Sequence, residues 1–147
     1  MAVRKLAVHF PALDRIHQRL SAAVRGYRCL REGVVECDGW CCRFTECRYE
    51  PWVWQLELER IREYLTRRGR PWPAWPQAGN CLFLDERNSC SIYPVRPAAC
   101  RLHYCMPDGF PQNMTVDEHI NSIIEQLKHR CFLATGDRRP ARLRNAE

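Results

Sequence analysis

The sequence predicts an α+β fold: a small, mostly helical domain with a short β-hairpin, stapled by a cysteine metal centre. Three observations lead to this prediction. The chain has 147 residues, enough for one domain with a core of its own. Apolar residues recur at helical spacing in three of its segments. Ten residues are cysteine, which makes this residue type the outlier of the composition.

The apolar stripes predict helices over residues 12–30, 52–68 and 116–134. Gly69 fits the C-terminal cap of the second helix, and Thr115 and Glu118 form a capping box at the start of the third. On the wheel of the third helix Cys131 points inward, whereas Cys29 lies opposite the apolar stripe of the first. We therefore expect Cys131 to face a buried site and Cys29 to be a bystander.

A β-hairpin is predicted over residues 81–93, CLFLDERNSCSIY. Two short apolar runs flank the turn-prone Asp85–Asn88, as the two arms of a hairpin do. The arms bring Cys81 and Cys90 near each other. The prolines that follow bend the chain, so that Cys100 returns toward the same place.

The length leaves room for one domain, residues 1–136, followed by a basic flexible tail over 137–147. The formal net charge of +6 is spread out, so nucleic acid is not an expected partner, and a protein partner is left open. Pro11, Asp14 and Arg15 interrupt any signal peptide, and no run approaches the roughly 20 apolar residues of a membrane span. We therefore expect a cytoplasmic protein without a membrane partner.

Cysteines at this density in a reducing compartment point to metal binding rather than to a disulfide framework. Four thiolates can hold one tetrahedral zinc ion or one iron–sulfur cluster, of which we slightly favour a 4Fe–4S cluster. Three separate segments supply the candidate metal ligands Cys37, Cys41, Cys42, Cys81, Cys90, Cys100 and Cys131. The side chains of adjacent Cys41 and Cys42 cannot easily converge on one metal ion. Three arrangements therefore stay open: a cluster with several irons, a site with two metals, or a site to which this pair contributes only one ligand.

These cysteines resemble a family. The C-x3-CC at Cys37 and the segment CLFLDERNSCSIYPVRPAACR are similar to the YkgJ-type CxxCxxCC cysteine-cluster proteins, known as a zinc- or iron-chelating domain. The family signature C-x-IY-x-x-RP-x-x-CR is matched by Cys90, Ile92, Tyr93, Arg96, Pro97, Cys100 and Arg101. The resemblance covers about residues 35–135 and implies zinc or an iron–sulfur cluster as cofactor, with no assigned reaction.

The chain departs from the family in its first cysteine group. Three residues separate Cys37 from Cys41 where the family has two, and Val34 stands about where the first cysteine would fall. The missing ligand could be replaced by Cys47 or Cys29. Two residues beyond the signature could also complete a site, His103 and Cys105.

Two arginines flank Cys100 and are predicted to contact the metal centre from outside. Arg96 and Arg101 could offset the negative charge of several thiolates through charge-assisted hydrogen bonds. Tyr93 could pack over the site and limit water. The alternative is that both arginines face solvent and Tyr93 is ordinary core.

No catalytic residue is predicted, and enzymatic activity is left open. Glu57 and Glu59 are interpreted as helix surface and Asp85 as a turn residue. The resemblance extends to the flagellin lysine N-methylases, which implies as an alternative an iron–sulfur-dependent methyl-transferring or redox enzyme. A further alternative is a thiol–disulfide switch, but the sequence has no thioredoxin-like C-x-x-C. The last alternative is a zinc-dependent module that binds nucleic acid or protein, which would rest on the net charge and on four tryptophans, Trp52, Trp54, Trp72 and Trp75.

Overall fold

The computed structural model describes residues 2–23, 51–74, 80–87, 89–102 and 118–143. The helices are α1 (Ala2–Ala7), α2 (Phe10–Ala23), α3 (Gln55–Arg67), α4 (Ala98–Leu102) and α5 (Glu118–Thr135), with a 3-10 turn at Tyr93–Val95. The strands β1 (Trp52–Val53) and β2 (Ala141–Arg142) form a two-stranded antiparallel sheet. The described residues thus form a mostly helical α+β fold, as predicted.

Helices α2, α3 and α5 surround the first of two apolar clusters. Its buried members are Phe10, Leu13, Ile16, Leu20, Trp54, Leu56, Ala98, Ile120, Ile123, Leu127 and Cys131. Burying each large side chain contributes about 1.5–3 kcal/mol. The stripe predicted for α2 is confirmed, because Leu13, Ile16 and Leu20 all face this cluster. The rest of that predicted helix, residues 24–30, lies outside the described residues, as does Thr115 of the predicted capping box.

Helix α3 begins three residues later than predicted, because residues 52–53 pair with β2 instead. The backbone N–H of Trp54 donates to Glu57 Oε2 at 3.0 Å and caps the helix start. The predicted cap at Gly69 is confirmed: its φ is +64°, and its N–H donates to Thr66 O at 3.0 Å. Arg70 N–H also donates to Leu65 O at 2.9 Å, which completes a Schellman motif.

The segment after α5 differs from the flexible tail predicted for residues 137–147. Ala141 and Arg142 pair with Val53 and Trp52, and Leu143 is 3% exposed in the second apolar cluster. The indole Nε1–H of Trp54 donates to Arg138 O at 2.9 Å. The basic composition predicted a solvated tail, but one leucine and the pairing with β1 hold residues 141–143 against the core. Residues 144–147 lie outside the described part.

The predicted hairpin is present as a tight turn with a single antiparallel bridge, Leu84 to Cys90. Ser91 N–H donates to Phe83 O at 2.8 Å, and Asp85 N–H donates to Ser89 O at 2.9 Å. Asp85 Oδ1 in turn accepts from Arg87 N–H and Ser89 N–H, which confirms Asp85 as a turn residue. The arms stay short because a turn at residues 81–84 and the 3-10 turn at Tyr93–Val95 interrupt them.

This turn closes over the second apolar cluster. Its buried members are Val53, Leu58, Ile61, Leu65, Cys81, Leu82, Phe83, Ile92, Val95 and Leu143. The rings of Trp72 and Phe83 form a T-shaped pair with centroids 5.3 Å apart, and the guanidinium carbon of Arg62 lies 4.2 Å from the centroid of the Trp72 ring. The described part of the proline-rich loop therefore covers the core. None of the helices in the described residues has the length and apolarity needed to cross a bilayer.

Candidate metal centre

Four of the seven predicted ligands lie in the described residues: Cys81, Cys90, Cys100 and Cys131. The predicted ligands Cys37, Cys41 and Cys42 lie outside them. The same holds for the additional candidates Cys29, Cys47, His103 and Cys105. Cys81, Cys100 and Cys131 are present as thiols that form no disulfide.

The segment from the tight turn to α4 carries two of the predicted ligands, Cys90 and Cys100. Cys90 forms the bridge at the base of the turn, and Cys100 lies in α4, ten residues further on. Burial, together with the charges of Cys90 and Glu57, raises the pKa of the Cys100 thiol to about 12. The return of Cys100 toward Cys90, which the prolines predict, stays a prediction, and the effect of the Cys90 charge on the Cys100 thiol is consistent with it. A cation at this position would relieve the repulsion between the two thiolates.

Arg101 connects α4 to the loop before it and to α2. Its Nε donates to Arg96 O at 2.9 Å, its Nη2 to Pro94 O at 3.0 Å, and its Nη1 to Ser21 Oγ at 2.8 Å. Burial and the charge of Arg96 lower the pKa of Arg101 to about 10, so the guanidinium stays charged at neutral pH. This charge lies close enough to Cys100 to lower the pKa of its thiol.

Arg96 and Tyr93 form a stacked pair at the edge of the site. The guanidinium of Arg96 lies 3.8 Å from the centroid of the Tyr93 ring, and its Nη1 donates to Tyr93 O at 2.8 Å. Tyr93 is 53% exposed, so the alternative that it is ordinary core is wrong. Arg96 also lowers the pKa of Cys100 through its charge. Both arginines therefore act electrostatically on a predicted ligand.

Glu57 is a buried residue near the cysteines that the sequence interpretation missed. It was interpreted as helix surface, but it is 0% exposed. Its Oε1 accepts from His17 Nε2 and from the backbone N–H of Ala98, each at 2.8 Å. The signal was present in the sequence, because Glu57 follows Trp54 by three residues and precedes Ile61 by four, on the apolar face of α3.

Cys131 and Cys81 lie in different apolar clusters. Cys131 is fully buried in the first cluster, and burial and the charge of Glu57 raise the pKa of its thiol. Its inward orientation was predicted correctly. Cys81 is buried in the second cluster. Within the described residues, no three His, Cys, Asp or Glu side chains are close enough to hold a metal ion.

The described donors fit part of a zinc or iron site. Thiols near arginines whose charges favour the thiolate, as for Cys100, are the donor type that zinc and iron–sulfur clusters take. A complete set needs further donors, and the predicted ones at residues 37–42 belong to a segment outside the described residues.

These features define a small, cysteine-rich, mostly helical domain with two cysteines on the segment from the tight turn to α4. The CxxCxxCC family model, described as "Putative zinc- or iron-chelating domain", matches residues 31–135. The chain belongs to this family, as its motifs predicted. No curated protein and no solved structure matches the chain significantly.

Proposed function

We propose that this protein binds zinc or iron through cysteine thiolates, with Cys90 and Cys100 as two of the ligands. Membership of a zinc- or iron-chelating family supports metal binding as such. Three features support these two ligands: the place of Cys90 at the base of the turn, the position of Cys100 in α4, and the charges of Arg96 and Arg101, which lower the pKa of the Cys100 thiol.

The full ligand set in this proposal is Cys37, Cys41, Cys42, Cys81, Cys90, Cys100 and Cys131. Seven thiols exceed the four ligands of a single zinc ion. They also exceed the four cysteines of one 4Fe–4S cluster, so the excess does not separate the two. The adjacent Cys41 and Cys42 do, because several irons can take neighbouring thiolates more easily than one ion can, and a 4Fe–4S cluster is therefore our first choice and zinc our second. A cytoplasmic location, which keeps thiols reduced, would suit either.

The two arginines would serve the site by stabilising its thiolates. Cys100 binds metal only after losing its proton, and burial holds its pKa at about 12, so metal binding must release this proton. Arg96 and Arg101 reduce the cost of that step, because both charges lower the pKa of the thiol. Tyr93, stacked on Arg96, would shield the outer side of the pair.

Anaerobic purification, followed by elemental analysis, a sulfide assay and an absorption spectrum, tests this proposal. We expect a broad visible band and acid-labile sulfide for a cluster, or colourless stoichiometric zinc. Cys90→Ser and Cys100→Ser should each lower the metal content, whereas Ser91→Ala, next to Cys90 and without a thiol, is the control that should not. A folded, metal-free protein with all ten cysteines titratable as thiols would refute the proposal.

The role of Cys131 can be separated from its packing. Cys131→Val keeps an apolar side chain of similar size in the first apolar cluster, but it cannot bind a metal. If Cys131 is a ligand, this variant loses metal while remaining folded. Unchanged metal content would remove Cys131 from the set and make it a core residue only.

Nothing in the described residues favours the methyl-transferring or redox alternative over metal binding, so we do not propose it.

A further inference from the structure

The carboxylate of Glu57 collects three hydrogen bonds from three separate parts of the chain. His17 Nε2 on α2 lies 2.8 Å from Oε1, and Ala98 N–H at the start of α4 donates to the same oxygen at 2.8 Å. Trp54 N–H donates to Oε2 at 3.0 Å. Glu57 is 0% exposed and His17 is 2% exposed, so water does not compete for these bonds. The interior therefore holds a carboxylate with a specific set of partners.

Only an acceptor suits this position. Two of the three partners are backbone N–H groups, which can only donate. The carboxylate has an acceptor oxygen on each side, Oε1 for His17 and Ala98 and Oε2 for Trp54. A glutamine could serve His17 and Ala98 with its oxygen, but it would direct its NH2 group at Trp54 N–H. An aspartate would keep the charge, but it would withdraw both oxygens by one methylene. Geometry and charge can thus be tested separately at this residue.

The Ala98 bond is the one that reaches the cysteine segment. Ala98 begins α4, and Cys100 lies two residues later in the same helix. A helix of five residues is too short to be stable alone, so its position depends on contacts with the rest of the fold. Arg101 fixes the far end of α4 through Ser21 and the loop carbonyls, and Glu57 fixes the near end.

We propose that Glu57 is the positioning residue of the metal site: its buried carboxylate, held by His17, fixes Ala98 and thereby holds Cys100 where it can share a metal with Cys90. This inference rests on the proposed metal-binding function. It adds a residue from outside the cysteine segments, on the helix between the two cysteine groups. Polar residues of this kind, behind a ligand, typically change metal affinity 10- to 100-fold when they are replaced.

Two variants of the full chain test the proposal, one of the same shape as glutamate and one that is shorter by a methylene. Glu57→Gln keeps the acceptor for Ala98 and removes the charge, while Glu57→Asp keeps the charge and withdraws the acceptor. The Zn²⁺ affinity of each is measured anaerobically by competition with a chromophoric chelator. Exchange of the Ala98 amide hydrogen is measured in parallel as a direct report on the bond. Ile123→Ala is the control for stability, because it weakens the first apolar cluster and leaves all three partners of the carboxylate in place.

The proposal expects affinity to follow geometry. Glu57→Asp should lose Zn²⁺ affinity at least tenfold and expose the Ala98 amide to exchange, while Glu57→Gln and Ile123→Ala should lose no more than about threefold relative to the parent chain. If Glu57→Gln loses Zn²⁺ affinity while Glu57→Asp retains it, the charge of Glu57 matters rather than its geometry, and the proposal is overturned. Unchanged affinity in both, or an equal loss in both and in Ile123→Ala, would also overturn it. A parent chain that binds neither zinc nor iron would instead refute the proposed function, and this inference with it.

Discussion

The imidazole Nε2 of His17 lies 2.8 Å from Oε1 of Glu57, and the two side chains are 3% and 0% exposed. The pair joins α2 to α3 across 40 positions of the sequence. A buried charge is costly unless it is paired and hydrogen-bonded, so each partner depends on the other. The relative position of these two helices is therefore set by a polar contact as well as by apolar packing.

Replacing His17 should destabilise the fold. In His17→Ala, Glu57 loses one donor and stays buried, so we expect the free energy of unfolding to fall by about 3 kcal/mol. Urea denaturation of the purified chain measures the change. Gln18→Ala, at the exposed neighbouring position, should change it by less than about 0.5 kcal/mol. Equal effects of the two variants would contradict a structural role for the pair.

Leu143 should contribute to stability even though it lies in a segment of basic composition. Leu143→Ala removes a buried side chain from the second apolar cluster, and we expect a loss of about 3 kcal/mol in the free energy of unfolding. Arg139→Ala, four residues earlier on an exposed side chain, should have almost no effect in the same denaturation experiment. A tail that is free in solution would make the two variants indistinguishable.

The contact of Arg60 with Asp14 should matter more than the surface ion pairs. Arg60 donates to both oxygens of Asp14, at 3.0 and 3.1 Å. Burial acts to lower the pKa of Arg60, but its bonds and charge contacts with Asp14 and Glu63 outweigh burial and raise that pKa. Lysine cannot form the two-pronged contact, so Arg60→Lys should cost about 1 kcal/mol. Arg67→Lys, in the exposed ion pair with Glu63, should cost close to nothing. Thermal unfolding of both variants measures the two losses.

Metal removal should lower the melting temperature without abolishing the helices. A metal that binds only the folded chain stabilises it by mass action, and each kcal/mol lost lowers the melting temperature by roughly 2–8 °C for a domain of this size range. Helix content should persist, because the two apolar clusters in the described residues do not need the metal. Circular dichroism before and after chelation measures both quantities. An unchanged melting temperature would show that the metal contributes nothing to the fold.

The chelated protein should lose stability at alkaline pH through Cys100. Its thiol has a pKa of about 12 in the folded chain against 9.0 as the ordinary value, so the folded state retains a proton that the unfolded state releases. The stabilisation is complete below about pH 9 and is lost as the pH rises toward 12, by at most about 1.4 kcal/mol per pH unit. Comparing Cys100→Ala with the parent chain between pH 8 and 10 isolates this contribution. Parallel stability curves would contradict it.

Local periodicity predicted the helices but not all of their ends. The stripe of α2 and the Gly69 cap of α3 appear as expected, because spacing and a glycine with positive φ act within a few residues. The start of α3 was misplaced, because β2 pairs with residues 52–53 from almost ninety positions away. Pairing with a distant strand leaves no mark in the local pattern. The short hairpin arms likewise reflect turns that compete with strand pairing.

The site could be predicted as far as its residue types, but not its surroundings. The thiols and Arg96 and Arg101 carry chemistry that is visible in the sequence, and the structure places both arginines where their charge acts on Cys100. Glu57 was misinterpreted because a carboxylate on an apolar face has two meanings, an exposed charge or a buried acceptor. The difference depends on whether three donors converge on it, which no helical wheel shows.

Motif, spacing and side-chain type are properties of the chain, so the family, the helical character of the domain and the soft-donor chemistry of its cysteines could all be predicted from the residues alone. The burial of Glu57 and His17, the place of Leu143 in the core, and the separation of Cys81 and Cys131 into different apolar clusters became visible only in the folded chain. These features depend on contacts between segments that are far apart in the sequence, and such contacts form only when the whole chain packs.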